Sequence, residues 1–253
     1  KYKDIVINKN KKTLRVVFII PARLKSSRLK KKLLKNINGL PMIIRVAKNA
    51  EKINLGEVIV GTDSTEIYNL CTKNKIKVFM TNRDHKSGTD RIFEVYNLNK
   101  KKFDIIANLQ GDLPIFSKDM ITRILELFYD KSVGIGSAVC SLTKEEIRDQ
   151  NIVKAKVILD KKNIGNAIDF SRRITSTENY YHHIGIYFFR PNILKKFVNL
   201  SQTKNEVDRS LEQMRALDNN LKIKLVKLSY NPPSVDTIDD LRKIRLIFKK
   251  NNF

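Results

Sequence analysis

The first half of the sequence alternates short apolar strands with amphipathic helices, and this alternation restricts the possible folds more than any other feature. An apolar strand, Val16–Ile20, comes first, and a helix with apolar residues at helical spacing begins at Pro41. Further predicted strands cover Glu57–Gly61, Ile76–Met80 and Asp104–Leu109. Strand–helix repeats of this length form a parallel sheet covered by helices. We therefore predict an α/β fold with a mostly parallel central sheet and helices on both faces.

In the second half, predicted strands follow one another with few helices between them. These strands are Gly134–Leu142, Val153–Leu159, Asn166–Phe170 and His183–Phe189. Because they lack crossover helices, we expect them to form a small mixed or antiparallel β extension that covers the ligand site. We predict a single domain, residues 1–253, in which residues from about 134 to 200 form this embedded lid or dimerisation extension.

The last part of the sequence returns to helical periodicity. A stripe of apolar residues predicts a helix over Val207–Leu217, and Lys222–Leu228 has the pattern of a strand. Thr237 then opens a final helix whose apolar residues recur at helical spacing. We assign these elements to the same single domain as the first half of the sequence.

The sequence carries 50 Lys and Arg against 26 Asp and Glu, a formal net charge of +24. Such a balance favours polyanionic partners: nucleic acid, an anionic membrane surface or nucleotide substrates. The basic residues are dispersed from Lys9 to Lys250 in a chain generally rich in Lys, Asn and Ile, so charge alone does not choose among these partners. A nucleic-acid-binding protein without catalysis remains the alternative of another class.

Hydropathy and cysteine usage indicate a soluble cytoplasmic protein. No apolar run approaches the roughly 18 residues that span a membrane, and the first residues carry no apolar signal core. Cys71 and Cys140 have no metal-binding spacing and lie in apolar segments, which is typical of buried free thiols in a reducing compartment.

The loop after the first strand is dense in positive charge and hydroxyl groups. It carries the hydroxyl residue Ser26, together with Arg23, Lys32 and other basic residues. It follows the carboxyl end of Val16–Ile20. Ligands of open α/β sheets bind at the carboxyl ends of the strands. Arg and Lys side chains bind phosphate oxygens through charge and hydrogen bonds. We interpret the loop as a clamp for a polyphosphate, and a solvated basic loop is the simpler alternative. It is neither a Walker loop nor a G-x-G-x-x-G turn.

Two carboxylates are candidates for binding a metal ion. Asp112 comes directly after Asp104–Leu109, and Asp236 precedes the last helix. One or two carboxylates together with substrate phosphates are the usual ligands of Mg²⁺. The alternatives are a plain turn at Asp112 and a helix N-cap at Asp236.

Two further segments offer polar groups. The loop Asp84–Arg91 contains a glycine and precedes a helix N-terminus, which suits recognition of a phosphate or a nucleobase. Arg172 and Arg173 are candidates for binding a carboxylate. His182 and His183 are adjacent on a predicted strand and therefore point to opposite faces, which argues against a zinc site.

Taken together, these segments resemble the CMP-KDO synthetases, the cytidylyltransferases that activate 3-deoxy-manno-octulosonate (KDO). The matching motifs occur in family order between Val16 and Arg245. They are IIPARLKSSRL, INGLPMI, VIVGTD, MTNRDHKSGTDR, NLQGDLP, AKVILD, FSR, HHIGIYFFR, SLEQMRAL and VDTIDDLRKIR. The resemblance implies a Rossmann-like nucleotidyltransferase fold.

The resemblance also implies a reaction, in which the anomeric hydroxyl of KDO attacks the α-phosphate of CTP and pyrophosphate leaves. Mg²⁺ is the implied cofactor, CTP and an acidic 2-keto sugar are the partners, and a cytoplasmic homodimer serving lipopolysaccharide synthesis is expected. The implied catalytic residues are Arg23, Lys32 and Asp112. The metal ligands would be Asp112 and Asp236, and the nucleotide contacts Arg23, Ser26, Lys32, Ser87, Gly88, Thr89, Arg91 and Gln110. The sugar contacts would be Arg172, His183, Glu212 and Gln213.

The sequence departs from the family pattern at three places. Leu113 stands where an acidic residue usually follows the QGD motif, and Lys30-Lys31 replaces a Pro-Gly pair before the loop lysine. The segment from Arg173 to Tyr181 is shorter than in many members. Because that segment helps to close the sugar site, a related acidic sugar, such as an amino-KDO or a nonulosonate, remains an alternative substrate.

Overall fold

The structure, a computed structural model, describes residues 14–24 and 29–250, and the chain divides into two compact units. The first unit comprises the described parts of Lys1–Ser117 and Pro232–Phe253, and the second comprises Lys118–Asn231. The inserted unit is therefore wider than the range of about 134–200 expected from the sequence. The α/β class predicted from the sequence is confirmed by the elements of both units.

The first unit is built on a parallel sheet in the order β5-β4-β1-β6. β1 lies between β4 and β6, and all of its residues except Pro21 are buried. The parallel order matches the strand–helix alternation of the sequence. The elements are β1 Val16–Ala22, β2 Asn36–Ile37, β3 Leu40–Pro41, α1 Met42–Ile53, β4 Glu57–Thr62, α2 Thr65–Lys73, β5 Val78–Met80, α3 Gly88–Asn99 and β6 Ile105–Asn108.

The second unit is a mixed sheet that closes on itself. Its strand order is β10-β7-β11-β9-β8, and β8 also pairs with β10. β7 and β11 are parallel and the other pairs antiparallel. The elements are α4 Lys118–Glu126, β7 Ile135–Cys140, α5 Lys144–Arg148, β8 Lys154–Val157, β9 Ile164–Ser171, β10 Tyr180–Phe189, α6 Pro191–Val198, α7 Lys204–Arg209, α8 Met214–Asp218 and β11 Ile223–Lys227.

This closed sheet corrects the prediction of a small mixed extension. The four predicted strands are present, but β11 joins them by pairing in parallel with β7, and β8 reaches both β9 and β10. Closure pairs the strand edges, which an open extension would leave exposed to water. The unit therefore has its own core, to which β9 and β10 contribute Phe170 and Phe188.

The single helix predicted over Val207–Leu217 is wrong. The chain forms α7 and α8 instead, because Ser210 adopts a left-handed backbone conformation with φ +52°. Val207, expected to face inward, is 60% exposed. The two helices are joined by a buried ion pair in which Arg215 donates to Glu206, with the Nη2–Oε1 distance 2.5 Å.

The last helix, α9 Ile238–Lys250, belongs to the first unit. It buries Leu241, Ile244 and Phe248, as the periodicity predicted, whereas Ile238, also expected to face inward, is 45% exposed. Arg245 Nε donates to the carbonyl oxygen of Asn36 at 2.9 Å, which ties the helix to β2. Within residues 14–24 and 29–250, no helix has the length and apolarity required to cross a membrane.

The buried Glu206–Arg215 pair predicts a large stability cost on truncation. Glu206→Ala leaves the buried Arg215 guanidinium without its carboxylate, and we expect the free energy of unfolding to fall by about 3 kcal/mol. Urea unfolding followed by circular dichroism measures this loss.

The exposed pair Arg242–Asp239 on α9 provides the control. Because water screens exposed ion pairs, Asp239→Ala leaves the unfolding midpoint nearly unchanged. Equal losses in the two variants would contradict the assigned role of the buried pair.

Candidate active site

Polar residues follow the carboxyl ends of the parallel strands in the first unit. Arg23 lies directly after β1 and is exposed, Asp63 follows β4, and Thr81 follows β5. Asp112 comes after β6, at the end of a turn in which Leu113 N–H donates to the Gln110 carbonyl at 3.2 Å. In parallel sheets this edge is the usual ligand-binding edge.

The side chain of Lys32 joins the two carboxylates that the sequence singled out. Its Nζ lies 2.6 Å from Oδ2 of Asp112 and 3.0 Å from Oδ1 of Asp236. The backbone supports this arrangement, because Val235 N–H donates to the carbonyl oxygen of Asp112 at 2.9 Å. Residues separated by more than a hundred positions in the sequence therefore meet at one ammonium group.

The environment keeps Lys32 charged. Burial alone would lower the pKa of Lys32, but the charges and hydrogen bonds of Asp112 and then Asp236 outweigh it and raise the pKa above its usual value. A permanently cationic, half-enclosed ammonium beside two carboxylates suits the binding of phosphate oxygens and a divalent cation.

The backbone before Lys32 has an unusual conformation at Lys31, one of the positions where the sequence departs from the family pattern. Lys31 adopts φ +51° and ψ 42°, the left-handed region that glycine enters without steric cost. It caps a single 3₁₀ turn over Lys32–Leu34. Lys31 adopts this conformation although it carries a side chain, and its Nζ pairs with Glu66 Oε2 at 2.9 Å.

The donor set fits Mg²⁺. Asp112 and Asp236 supply two carboxylates, and among the described residues no cluster of three or more His, Cys, Asp or Glu offers a protein-only cage. Mg²⁺ commonly takes one or two carboxylates and completes its octahedron with water and substrate phosphates. The side chain of Leu113 is buried at 4% exposure, so it packs in the core at the end of the turn.

The loop predicted to recognise the nucleotide is held by hydrogen bonds at the start of α3. Ser87 Oγ accepts from Asp90 N–H at 3.1 Å, and Asp90 Oδ2 accepts from Ser87 N–H at 3.1 Å, which forms a capping box for α3. A Cβ added at Gly88 would lie 3.3 Å from Cγ of Pro21, so α3 begins against the end of β1. This places the start of α3 at the edge where Arg23 leaves the sheet.

Two other residues expected to contact the nucleotide are enclosed. Thr89 is buried, and so is Arg91, whose guanidinium donates to Thr81 Oγ1 and, at 3.0 Å, to Oδ2 of Asp63. Arg91 therefore connects the ends of β4 and β5 to α3. Ser26 lies outside the described residues.

The second unit brings together two of the four residues expected to bind the sugar, His183 and Glu212. His183 is buried at 7% exposure, with its ring 5.0 Å from that of Phe170 and 5.3 Å from that of Tyr187. Its Nε2 lies 3.3 Å from the hydroxyl of Ser137. Burial first, and then the charge of Glu212, raise the pKa of Tyr187, which shows that Glu212 lies near this cluster.

Sequence reasoning missed Tyr187. Its buried hydroxyl has no hydrogen-bond partner among the described residues. On β10 it lies four positions from His183, but the pairing of β10 with β7 is irregular between Ile184 and Phe188, so a strict period of two was not a dependable signal for it.

The remaining predicted sugar contacts are distributed differently. Gln213 immediately precedes α8 in a helical backbone conformation. Arg172 Nη1 donates to the carbonyl oxygens of Gln150 and Asn151, at 3.2 and 2.8 Å. The structure therefore gives Arg172 a local structural role beside α5.

Comparison with known proteins identifies the family. A family model described as cytidylyltransferase matches residues 17–223. The chain belongs to the cytidylyltransferase family. The CMP-KDO synthetase resemblance of the sequence motifs is confirmed by curated relatives and by a solved structure.

Two relatives of this cytidylyltransferase carry the name 3-deoxy-manno-octulosonate cytidylyltransferase. The one from Paramagnetospirillum magneticum is 36% identical over 239 residues, covering 92% of this chain and 97% of the relative. The one from Francisella tularensis subsp. novicida is 37% identical over 242 residues, covering 91% and 97%. A solved CMP:2-keto-3-deoxy-manno-octonic acid synthetase complexed with CTP aligns with a TM-score of 0.83 and 32% identity, covering 93% of this chain and 99% of that one.

The enclosed His183 predicts a pH dependence of stability. Burial, followed by the charge of His182, lowers the pKa of His183 to about 3. In the unfolded chain a histidine titrates near pH 6.5. Below about pH 6.5 the His183 imidazole is protonated in the unfolded state but stays neutral in the folded state. The free energy of unfolding therefore decreases as the pH falls below about 6.5.

We expect this histidine to account for a loss of up to about 2 kcal/mol between pH 7 and pH 5. Urea unfolding of the natural protein and of His183→Gln at both pH values measures it. The variant should lose less stability on acidification, and an equal loss in both proteins would show that His183 is not buried as a neutral ring.

Proposed function

We propose that this cytidylyltransferase transfers CMP from CTP to the anomeric hydroxyl of 3-deoxy-manno-octulosonate, a step that activates the sugar for lipopolysaccharide synthesis. The observation that carries the proposal is the contact of Lys32 with both Asp112 and Asp236. The names of the relatives and the CTP-bound structure support the two substrates. We further infer that the first unit is the Rossmann-like nucleotide-binding half.

In the proposed reaction, the anomeric oxygen forms a bond to the α-phosphorus while the bond to the pyrophosphate oxygen breaks, and the proton of the anomeric hydroxyl is released to water. Arg23 and Lys32 would neutralise the charge of the triphosphate and of the departing pyrophosphate. Asp112 and Asp236 would hold Mg²⁺, which when bound supplies positive charge to the phosphate oxygens. The protein thus contributes mainly orientation and charge.

We assign recognition of the sugar to the second unit. His183 is a neutral ring, so it can act as a hydrogen-bond partner for a sugar hydroxyl without adding charge. Glu212 and Gln213 lie on the chain immediately before α8 and supply further polar groups. We also expect the family's cytoplasmic homodimer, with the second unit acting as a lid or dimerisation element.

A screen for pyrophosphate release tests the reaction and the sugar together. It crosses CTP, UTP, ATP and GTP with KDO, an amino-KDO and a nonulosonate, in the presence and absence of Mg²⁺. We expect release only with CTP, KDO and Mg²⁺. Release with another acidic ketose would assign that sugar instead, and no release with any combination would overturn the proposal.

The metal assignment predicts the effect of removing one carboxylate charge. Asp112→Asn keeps the shape of the side chain but weakens metal binding, so kcat should fall by at least about a hundredfold. Steady-state pyrophosphate release at saturating CTP and Mg²⁺ measures the change.

Asp104 offers a matched control, because it precedes the other end of β6 and accepts from Arg15 N–H at 2.9 Å. We expect Asp104→Asn to retain kcat within about twofold, as exposed charge pairs contribute little. Turnover that survives Asp112→Asn would show that the metal is held elsewhere.

A further inference from the structure

A single carboxylate oxygen on α3 holds the start and the middle of the loop that precedes this helix. Oε2 of Glu94 accepts from the backbone N–H of Asn82 at 3.0 Å and from the Nε2–H of His85. Between these two anchor points, Asp84 N–H donates to Oδ1 of Asn82 at 3.0 Å. The residues after β5 therefore form a closed turn whose shape depends on Glu94.

The same helix holds the rest of the segment. One turn before Glu94, Asp90 completes the capping box with Ser87, and Arg91 reaches Thr81 and Asp63. Residues three and four positions apart lie on one face of a helix, so Ser87, Asp90, Arg91 and Glu94 present a continuous polar face to the loop. The contacts of Asp90 and Arg91 hold the end of the loop and the strands beside it, and those of Glu94 hold Asn82 and His85.

The position of this loop sets the position of the start of α3. The chain passes from His85 through Lys86 to Ser87, and Gly88 lies against Pro21 at the end of β1. A shift of the loop would therefore displace the backbone N–H groups that an anion or a base edge meets at a helix N-terminus. A displacement of about 1 Å is sufficient to impair substrate positioning.

We propose that Glu94 is a positioning residue for the nucleotide, acting through the loop 82–88 without touching the substrate. This inference rests on the proposed CTP-dependent reaction. The Glu94 carboxylate makes charge-assisted hydrogen bonds to two separate residues of the loop, Asn82 and His85. Such bonds are stronger than neutral ones. Glu94 selects the loop conformation in which Ser87 and Gly88 face the end of β1.

The experiment separates positioning from chemistry by measuring KM for CTP and kcat independently. Glu94→Ala removes both anchor contacts, and we expect KM for CTP to rise about tenfold while kcat changes by less than about threefold. Glu94→Gln retains an acceptor oxygen and should restore KM to within about threefold of the natural value. Glu145→Ala, which removes an exposed carboxylate from α5, should change neither constant.

Calorimetric titration with CTP in the absence of sugar provides a second readout, which does not depend on turnover. We expect the Kd of Glu94→Ala for CTP to rise by about the same factor as its KM for CTP, tenfold. If Glu94→Ala fails to fold, as judged by circular dichroism, His85→Ala replaces it, since it removes one anchor and should raise KM for CTP about threefold.

The inference is overturned if the folded variant keeps the natural KM and CTP affinity, or if kcat falls while KM does not change. A natural protein that binds no CTP and releases no pyrophosphate contradicts the proposed function itself. The two failures are therefore distinguishable.

Discussion

The first unit depends on one ammonium group that satisfies two carboxylates. Asp112 and Asp236 come from the two chain segments of this unit, one before and one after the inserted second unit, and in the absence of a cation they would repel each other. Lys32 lies within 3.0 Å of an oxygen of each and so holds the loop after β1, the turn after β6 and the segment before α9 together. The site that we propose for Mg²⁺ and phosphate is thereby assembled before substrate binds, which lowers the cost of ordering it later.

The backbone is locally strained at Lys31, the residue before the Lys32 ammonium. Lys31 occupies the left-handed region, which costs a residue with a side chain about 1–2 kcal/mol. The 3₁₀ turn that follows directs Lys32 toward the carboxylates, and Leu33 of the same turn is buried beside Gly111, where an added Cβ would lie 3.1 Å from its Cδ2. Backbone conformation, core packing and charge therefore act together on a few residues at the end of β1.

The sequence predicted the parallel sheet and the placement of Asp112 after a strand, because strand–helix periodicity and strand ends are local signals. Closure of the second sheet depends on pairing between distant strands, which no local pattern encodes. The break at Ser210 was missed because serine rarely adopts a positive φ. Burial of Arg91 was missed because its partners Asp63 and Thr81 are separated from it along the chain, and a motif match does not distinguish a residue that touches substrate from one that orients its neighbours.

The central claim is that Asp112 and Asp236 share a divalent cation while Lys32 serves the triphosphate. A crystal structure of the protein with CTP and Mn²⁺, with the metal located by anomalous scattering, tests it most directly. The account predicts one manganese peak in contact with both carboxylates and Lys32 Nζ within hydrogen-bonding distance of a phosphate oxygen. A triphosphate bound while Lys32 still bridges the two carboxylates, with the metal away from Asp112 and Asp236, would contradict it.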